Sequence, residues 1–114
     1  MAATHAFLDH PGPLAFAHRG GAGVNPENTW AAFDHAVSLG YRYLETDVRV
    51  TSDGVVVAFH DPTLDRVTDR TGAIARRPWV EVRRARIAGK HEPVRLDDLL
   101  AAYPDVRVNI DPKT

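Results

Sequence analysis

Two kinds of periodicity divide this chain. "YRYLETDVRV" (residues 41–50) alternates, with Leu44, Val48 and Val50 on one parity and Tyr43, Glu45, Asp47 and Arg49 on the other. That pattern predicts a strand with one apolar and one polar face. "VRVNIDPK" (106–113) repeats it, setting Val106, Val108 and Ile110 against Arg107, Asn109, Asp111 and Lys113. Two apolar runs, "LAFAH" (14–18) and "VVVAFHD" (55–61), read as short buried strands. The first ends in His18-Arg19 and the second in His60-Asp61.

Helical spacing fills the intervals. In "ENTWAAFDHAVSLG" (27–40), Trp30, Phe33 and Val37 recur at three and four residues, Asn28 or Thr29 can cap the start, and Gly40 stands where a helix stops. "PWVEVRRAR" (78–86) predicts a short helix with Pro78 in its first turn. "LDDLLAAY" (96–103) places Leu96, Leu99, Leu100 and Tyr103 on one face and is closed by Pro104. Strands separated by helices predict an α/β fold with a parallel sheet. The turn signal "TSDG" (51–54) between the second and third strands suits an antiparallel hairpin instead. Either pairing brings Glu45 near His60.

Composition narrows the classes. At 114 residues, 44% apolar and 25% charged, the chain has the material for one small domain. A net charge of −1 supports neither a nucleic-acid face nor a polybasic membrane anchor. The absence of cysteine excludes disulfides, thiol catalysis and cysteine-held zinc. No stretch approaches the roughly 18 apolar residues of a membrane span, and residues 1–15 lack the basic start and apolar centre of a signal peptide. The expectation is a cytoplasmic protein with no integral membrane segment.

The polar parities carry the chemistry. Residues at i and i+2 of a strand project to one side, so Glu45 joins Asp47, and Asp111 joins Lys113. The carboxyl ends of strands line the sites of parallel α/β folds. Clustered carboxylates repel unless a cation or proton sits between them, and an oxygen-only ligand set suits Mg2+ or Ca2+. His18 and His60 have the chemistry of a general base and general acid near neutral pH. Arg19 and Lys113 can clamp an anion, with phosphate the foremost candidate. Taken singly, each feature has a plainer origin: a solvated strand face, a loop histidine, or, for Asp61 before Pro62, a turn start. Their convergence on one end of the sheet argues against that.

At these residues the chain resembles the glycerophosphodiester phosphodiesterase family. "AHRG" (17–20), "PENT" (26–29), "ETDVRVTSDG" (45–54), "FHDPTLDRVT" (59–68) and "NIDPK" (109–113) occur in the family's order and spacing. The resemblance implies a TIM (β/α)8 barrel and a divalent-metal phosphodiesterase acting on a small-molecule phosphodiester. It implies His18 and His60 as the acid/base pair, Glu45, Asp47 and Asp111 as ligands for Mg2+ or Ca2+, and Arg19, Glu27 and Lys113 around the substrate. Asp111 stands where the family often has Glu, one methylene longer.

A TIM barrel takes about 250 residues, so residues 1–114, with motifs over 15–113, are expected to form the amino-terminal half of one, truncated after strand four. Such a half-barrel is expected to have low activity alone and to associate through its open edges. The competing readings are a non-catalytic barrel fragment serving as a binding or interaction module, and a related phosphodiesterase acting on lysophospholipids.

Overall fold

A computed structural model describes residues 25–113 of the chain. The expected strand at 14–18, with His18 and Arg19, lies outside the described residues. Among those described, four strands form one mixed sheet in the order β3-β2-β1-β4: β1 (Tyr43–Val50), β2 (Val56–Ala58), β3 (Val94–Arg95) and β4 (Arg107–Pro112). Three helices accompany them: α1 (Trp30–Ser38), α2 (Trp79–Val82) and α3 (Leu96–Ala102).

Helix α1 starts at Thr29, whose Oγ1 accepts from the Ala32 amide at 3.2 Å and donates to the Pro26 carbonyl at 2.8 Å. This satisfies one of the orphan donors of the first turn. The helix ends at Leu39, after which Gly40 takes φ +91°, a conformation that costs other residues a Cβ clash.

The "TSDG" turn forms a hairpin. The Thr51 amide donates to the Val55 carbonyl at 2.9 Å, and the Val55 amide donates to Thr51 Oγ1 at 3.0 Å. β1 and β2 are therefore antiparallel, with Val48 opposite Ala58. β2 and β3 are antiparallel as well. The parallel sheet expected from strand–helix alternation is confined to β1 and β4, because the five residues between β1 and β2 leave no room for a crossover. The two-residue strand Val94–Arg95 falls where the sequence carries no alternation long enough to mark it.

Leu44 of β1 packs against α1 and α3. Phe33, Ala36, Leu44, Ala58, Val94 and Leu99 form one buried cluster, flanked by Trp30, Tyr103, Val106 and Val108. Leu96, Leu99 and Tyr103 form the inner stripe of α3, whereas Leu100, expected on the same face, is 44% exposed. Tyr43, expected on the polar parity, is fully buried. A second cluster, containing Val57, Phe59, Leu64, Ile74, Val82, Ala85 and Ile87, gathers residues 62–93 against the other face of the hairpin. Among the described residues, no helix is long and apolar enough to cross a membrane.

Candidate functional site

Register assembles the site. In the parallel β1–β4 pair, Asp47 stands beside Asp111 and Glu45 beside Asn109. Paired residues share a face, and Glu45 lies two residues before Asp47, so all three carboxylates project together. A one-residue slip would send Asp111 to the helix side. One oxygen from each of Glu45, Asp47 and Asp111 lies within 4.8 Å of the others. Asp47 is buried, Glu45 half-buried and Asp111 exposed.

Lys113 closes this cluster. Its Nζ donates to Asp111 Oδ2 at 2.7 Å and lies 3.7 Å from Asp47 Oδ1. The ammonium holds the Asp111 carboxyl below its ordinary pKa, and Asp111 raises that of Lys113.

His60 comes from the strand end beyond β2. The Phe59 amide donates to the Asp47 carbonyl at 2.9 Å, which continues the hairpin and delivers the next residue to the carboxylates. His60 Nε2 lies 4.0 Å from Asp47 Oδ2, and its Nδ1 lies 2.8 Å from Asp61 Oδ1. Arg49 grips the His60 carbonyl with both Nε (3.1 Å) and Nη2 (2.7 Å).

Behind His60 stands a cation. Arg66 donates through Nε to Asp61 Oδ2 at 2.7 Å and through Nη2 to Asp61 Oδ1 at 3.1 Å. The same guanidinium reaches Glu27 with Nη1 and Nη2, both at 3.0 Å. Hydrogen bonds from Arg66, then from His60, pull the Asp61 carboxyl down to about 2, and the pKa of Arg66 is raised in return. The loop that carries Glu27 is tied to β1 by Thr46, whose hydroxyl donates to Asn28 Oδ1 at 2.9 Å. Asn28 sits at φ +54°, a left-handed conformation that asparagine tolerates.

The structure thus brings together six of the eight residues singled out in the sequence: Glu45, Asp47, Asp111 and Lys113 in one cluster, His60 beside it, and Glu27 linked to His60 through Arg66 and Asp61. His18 and Arg19 lie outside the described residues. Sequence reasoning left Asp61 as a turn former and gave Arg66 and Arg49 no role. The one available signal was Arg66 inside "HDPTLDR", five residues beyond Asp61.

The donor set fits a hard divalent cation. Two oxygens that share an ion at about 2.3–2.6 Å stand at most about 5 Å apart, and the three carboxylate oxygens, all within 4.8 Å of one another, meet that limit.

Comparison with known proteins points one way. Residues 18–114 match the model of the glycerophosphoryl diester phosphodiesterase family. The chain is 47% identical over 113 residues to a probable glycerophosphodiester phosphodiesterase 2 of Mycobacterium tuberculosis, covering 98% of this chain and 43% of that protein. The crystal structure of a glycerophosphodiester phosphodiesterase from Agrobacterium tumefaciens superposes with a TM-score of 0.82 at 36% identity, over 87% of this chain and 46% of that one. An Oleispira antarctica phosphodiesterase, solved in complex with the product sn-glycerol-3-phosphate, superposes with a TM-score of 0.79 at 31% identity, over 89% of this chain and 44% of that one. The chain spans less than half the length of each of these proteins.

Proposed function

This chain belongs to the glycerophosphoryl diester phosphodiesterase family, and from that premise we propose that its carboxylate cluster and His60 belong to the reacting centre of a hydrolase that converts glycerophosphodiesters to sn-glycerol 3-phosphate and an alcohol. The observation that carries the reading is the convergence of Glu45, Asp47 and Asp111 within 4.8 Å, with His60 Nε2 4.0 Å from Asp47. The relative solved with sn-glycerol-3-phosphate supports the choice of product.

In this reading, Glu45, Asp47 and Asp111 hold a divalent cation, Ca2+ or Mg2+. When bound, that ion supplies positive charge to the phosphoryl oxygens as they gain electron density. Lys113 supplies a second positive charge at the same place, and Arg19 matches the family's phosphate contact. Asp61 accepts from His60 Nδ1–H, which leaves Nε2 as the nitrogen that exchanges protons toward the carboxylates. Arg66 keeps Asp61 ionised for that purpose, and Arg49 fixes the backbone that carries the ring.

In this reading two such groups share the proton transfers. One histidine accepts the proton of the substrate glycerol's 2-hydroxyl as its oxygen attacks phosphorus, and the other donates a proton to the departing alcohol. Water then opens the cyclic phosphate, with the two proton-transfer roles reversed. His60 and His18 take these roles.

The test is sn-glycerol 3-phosphate release from a glycerophosphodiester by the protein bearing this chain. His60→Ala and His18→Ala are each expected to lower turnover by roughly 100-fold or more. His35→Ala and His91→Ala, at positions outside the family's motifs, are expected to keep most of it. Near-normal turnover in His60→Ala would remove this residue from the chemistry.

A further inference from the structure

Residues 70–86 contain six arginines and a single acidic residue, Glu81, in a chain whose net charge is −1. Three of the arginines line one cleft of about 340 Å³, whose walls are Leu64, Arg70, Thr71, Arg77, Glu81 and Arg84. None of these residues belongs to the carboxylate–histidine site. We propose that this cleft binds the phosphate group of a phosphomonoester.

Arg77 shows that the cleft is built rather than merely solvated. Its Nη1 donates to Glu81 Oε2 at 3.2 Å, while its Nε is buried with no hydrogen-bond partner among the described residues. A buried unpartnered N–H is costly, so the fold sacrifices stability to hold this guanidinium in place. The other restraint is Gly72. A Cβ at that position would lie 2.6 Å from Arg77 Nη2 and 2.9 Å from Nε, so only glycine lets the guanidinium lie against the backbone. Gly72 itself is fixed: its amide donates to Asp65 Oδ1 at 3.0 Å, and its carbonyl accepts from the Leu64 amide at 3.0 Å. Arg77 thus lies against the Gly72 backbone and is joined to Glu81.

Arg70 and Arg84 complete the arrangement. Both are exposed, and among the described residues their side chains make no hydrogen bond or ion pair. Three guanidiniums against the Glu81 carboxylate leave the lining with an excess of two positive charges. A phosphomonoester carries about −1.5 to −2 charges at pH 7 and presents three acceptor oxygens. Two forked guanidiniums and the Thr71 hydroxyl match those acceptors better than they match the two oxygens of a carboxylate. The volume lies at the low end of small-molecule sites, which suits a phosphate carrying a small organic group. Binding here does not depend on hydrolysis at the carboxylate site.

The test is a titration of the 15N-labelled chain with inorganic phosphate, read at the Thr71 and Gly72 amides and the arginine Nε–H signals. The expected result is saturable shifts at these positions, with affinity falling at least tenfold in Arg70→Gln/Arg84→Gln. The control is Arg76→Gln/Arg83→Gln, which removes the same charge outside this cleft and is expected to change affinity less than about twofold. Co-sedimentation with phosphatidic acid vesicles identifies the source of the group: binding lost in Arg70→Gln/Arg84→Gln and kept in the control assigns a lipid headgroup, and shifts with soluble phosphate alone assign a free metabolite. Absence of saturation in both arms overturns the proposal. So does equal loss in the control variant, which marks a diffuse electrostatic effect.

Discussion

Arg66 is the residue on which the support of His60 turns, and replacing it by alanine isolates that dependence. The substitution removes four hydrogen bonds, two to Asp61 and two to Glu27. It leaves those carboxylates, with side chains 19% and 14% exposed, without their shared cation. Removing one partner of a fully buried pair costs about 3–5 kcal/mol, while exposed pairs contribute about 0–1 kcal/mol. Arg66 is itself 48% exposed, which sets the case between these limits, at about 2–3 kcal/mol. In a domain of this size each kcal/mol shifts the melting temperature by roughly 4–8 °C, so the expected loss is roughly 10–20 °C. Thermal unfolding followed by circular dichroism measures it, and a double-mutant cycle of Arg66→Ala with Asp61→Asn assigns the coupling to this pair, at about 1–2 kcal/mol. Arg66→Lys, which keeps the charge and loses the fork, is expected to fall between wild type and Arg66→Ala. A melting temperature for Arg66→Ala within about 2 °C of wild type, or a coupling below about 0.5 kcal/mol, would refute the reasoning.

Thr29→Ala removes the cap of α1 and is expected to cost about 1 kcal/mol, read as a lower urea midpoint with an unchanged slope. Gly72→Ala forces φ +103° on a residue with a Cβ and drives that atom into Arg77, so a loss of about 1–3 kcal/mol is expected in the same assay. Asp61 has a carboxyl at about 2 in the folded chain against an ordinary 3.8, so the unfolded chain takes up its proton first as pH falls. The stabilisation is then complete above about pH 5 and lost progressively down to about pH 2; with partial solvent screening it amounts to about 1–2 kcal/mol. Urea titrations of wild type and Asp61→Asn between pH 5 and 2.5 check it, and parallel pH dependence of the two proteins would contradict it.

Strand parity made the carboxylate cluster legible. Glu45 and Asp47 alternate with Leu44 and Val48, Asp111 alternates with Val108 and Ile110, and a parallel register then does the rest. Helix α1 was legible for a similar reason, since Thr29, Trp30, Phe33 and Gly40 mark its start, face and end. The antiparallel pairing of β1 and β2 was open, because "TSDG" argued for a hairpin while the helices elsewhere argued for crossovers. Tyr43 misled because parity alone does not distinguish a polar face from a covered one. Arg66 could not be read from local pattern at all: its partners Asp61 and Glu27 are five and thirty-nine residues away, and only the packing of residues 62–93 over the strand ends brings the three together. Val94–Arg95 is too short for any periodicity, and owes its strand form to pairing with Val57 and Ala58.

The most direct measurement is calorimetric titration of the chain with Ca2+ at pH 7, for wild type and for Asp47→Asn and Asp111→Asn. The expected result is one ion per chain, with affinity reduced by about tenfold or more in each variant, since a hard cation loses a charged ligand in both. Absence of a saturable site in wild type, or a site that neither Asp47→Asn nor Asp111→Asn weakens, would contradict the assignment of these carboxylates as the metal centre of a phosphodiesterase.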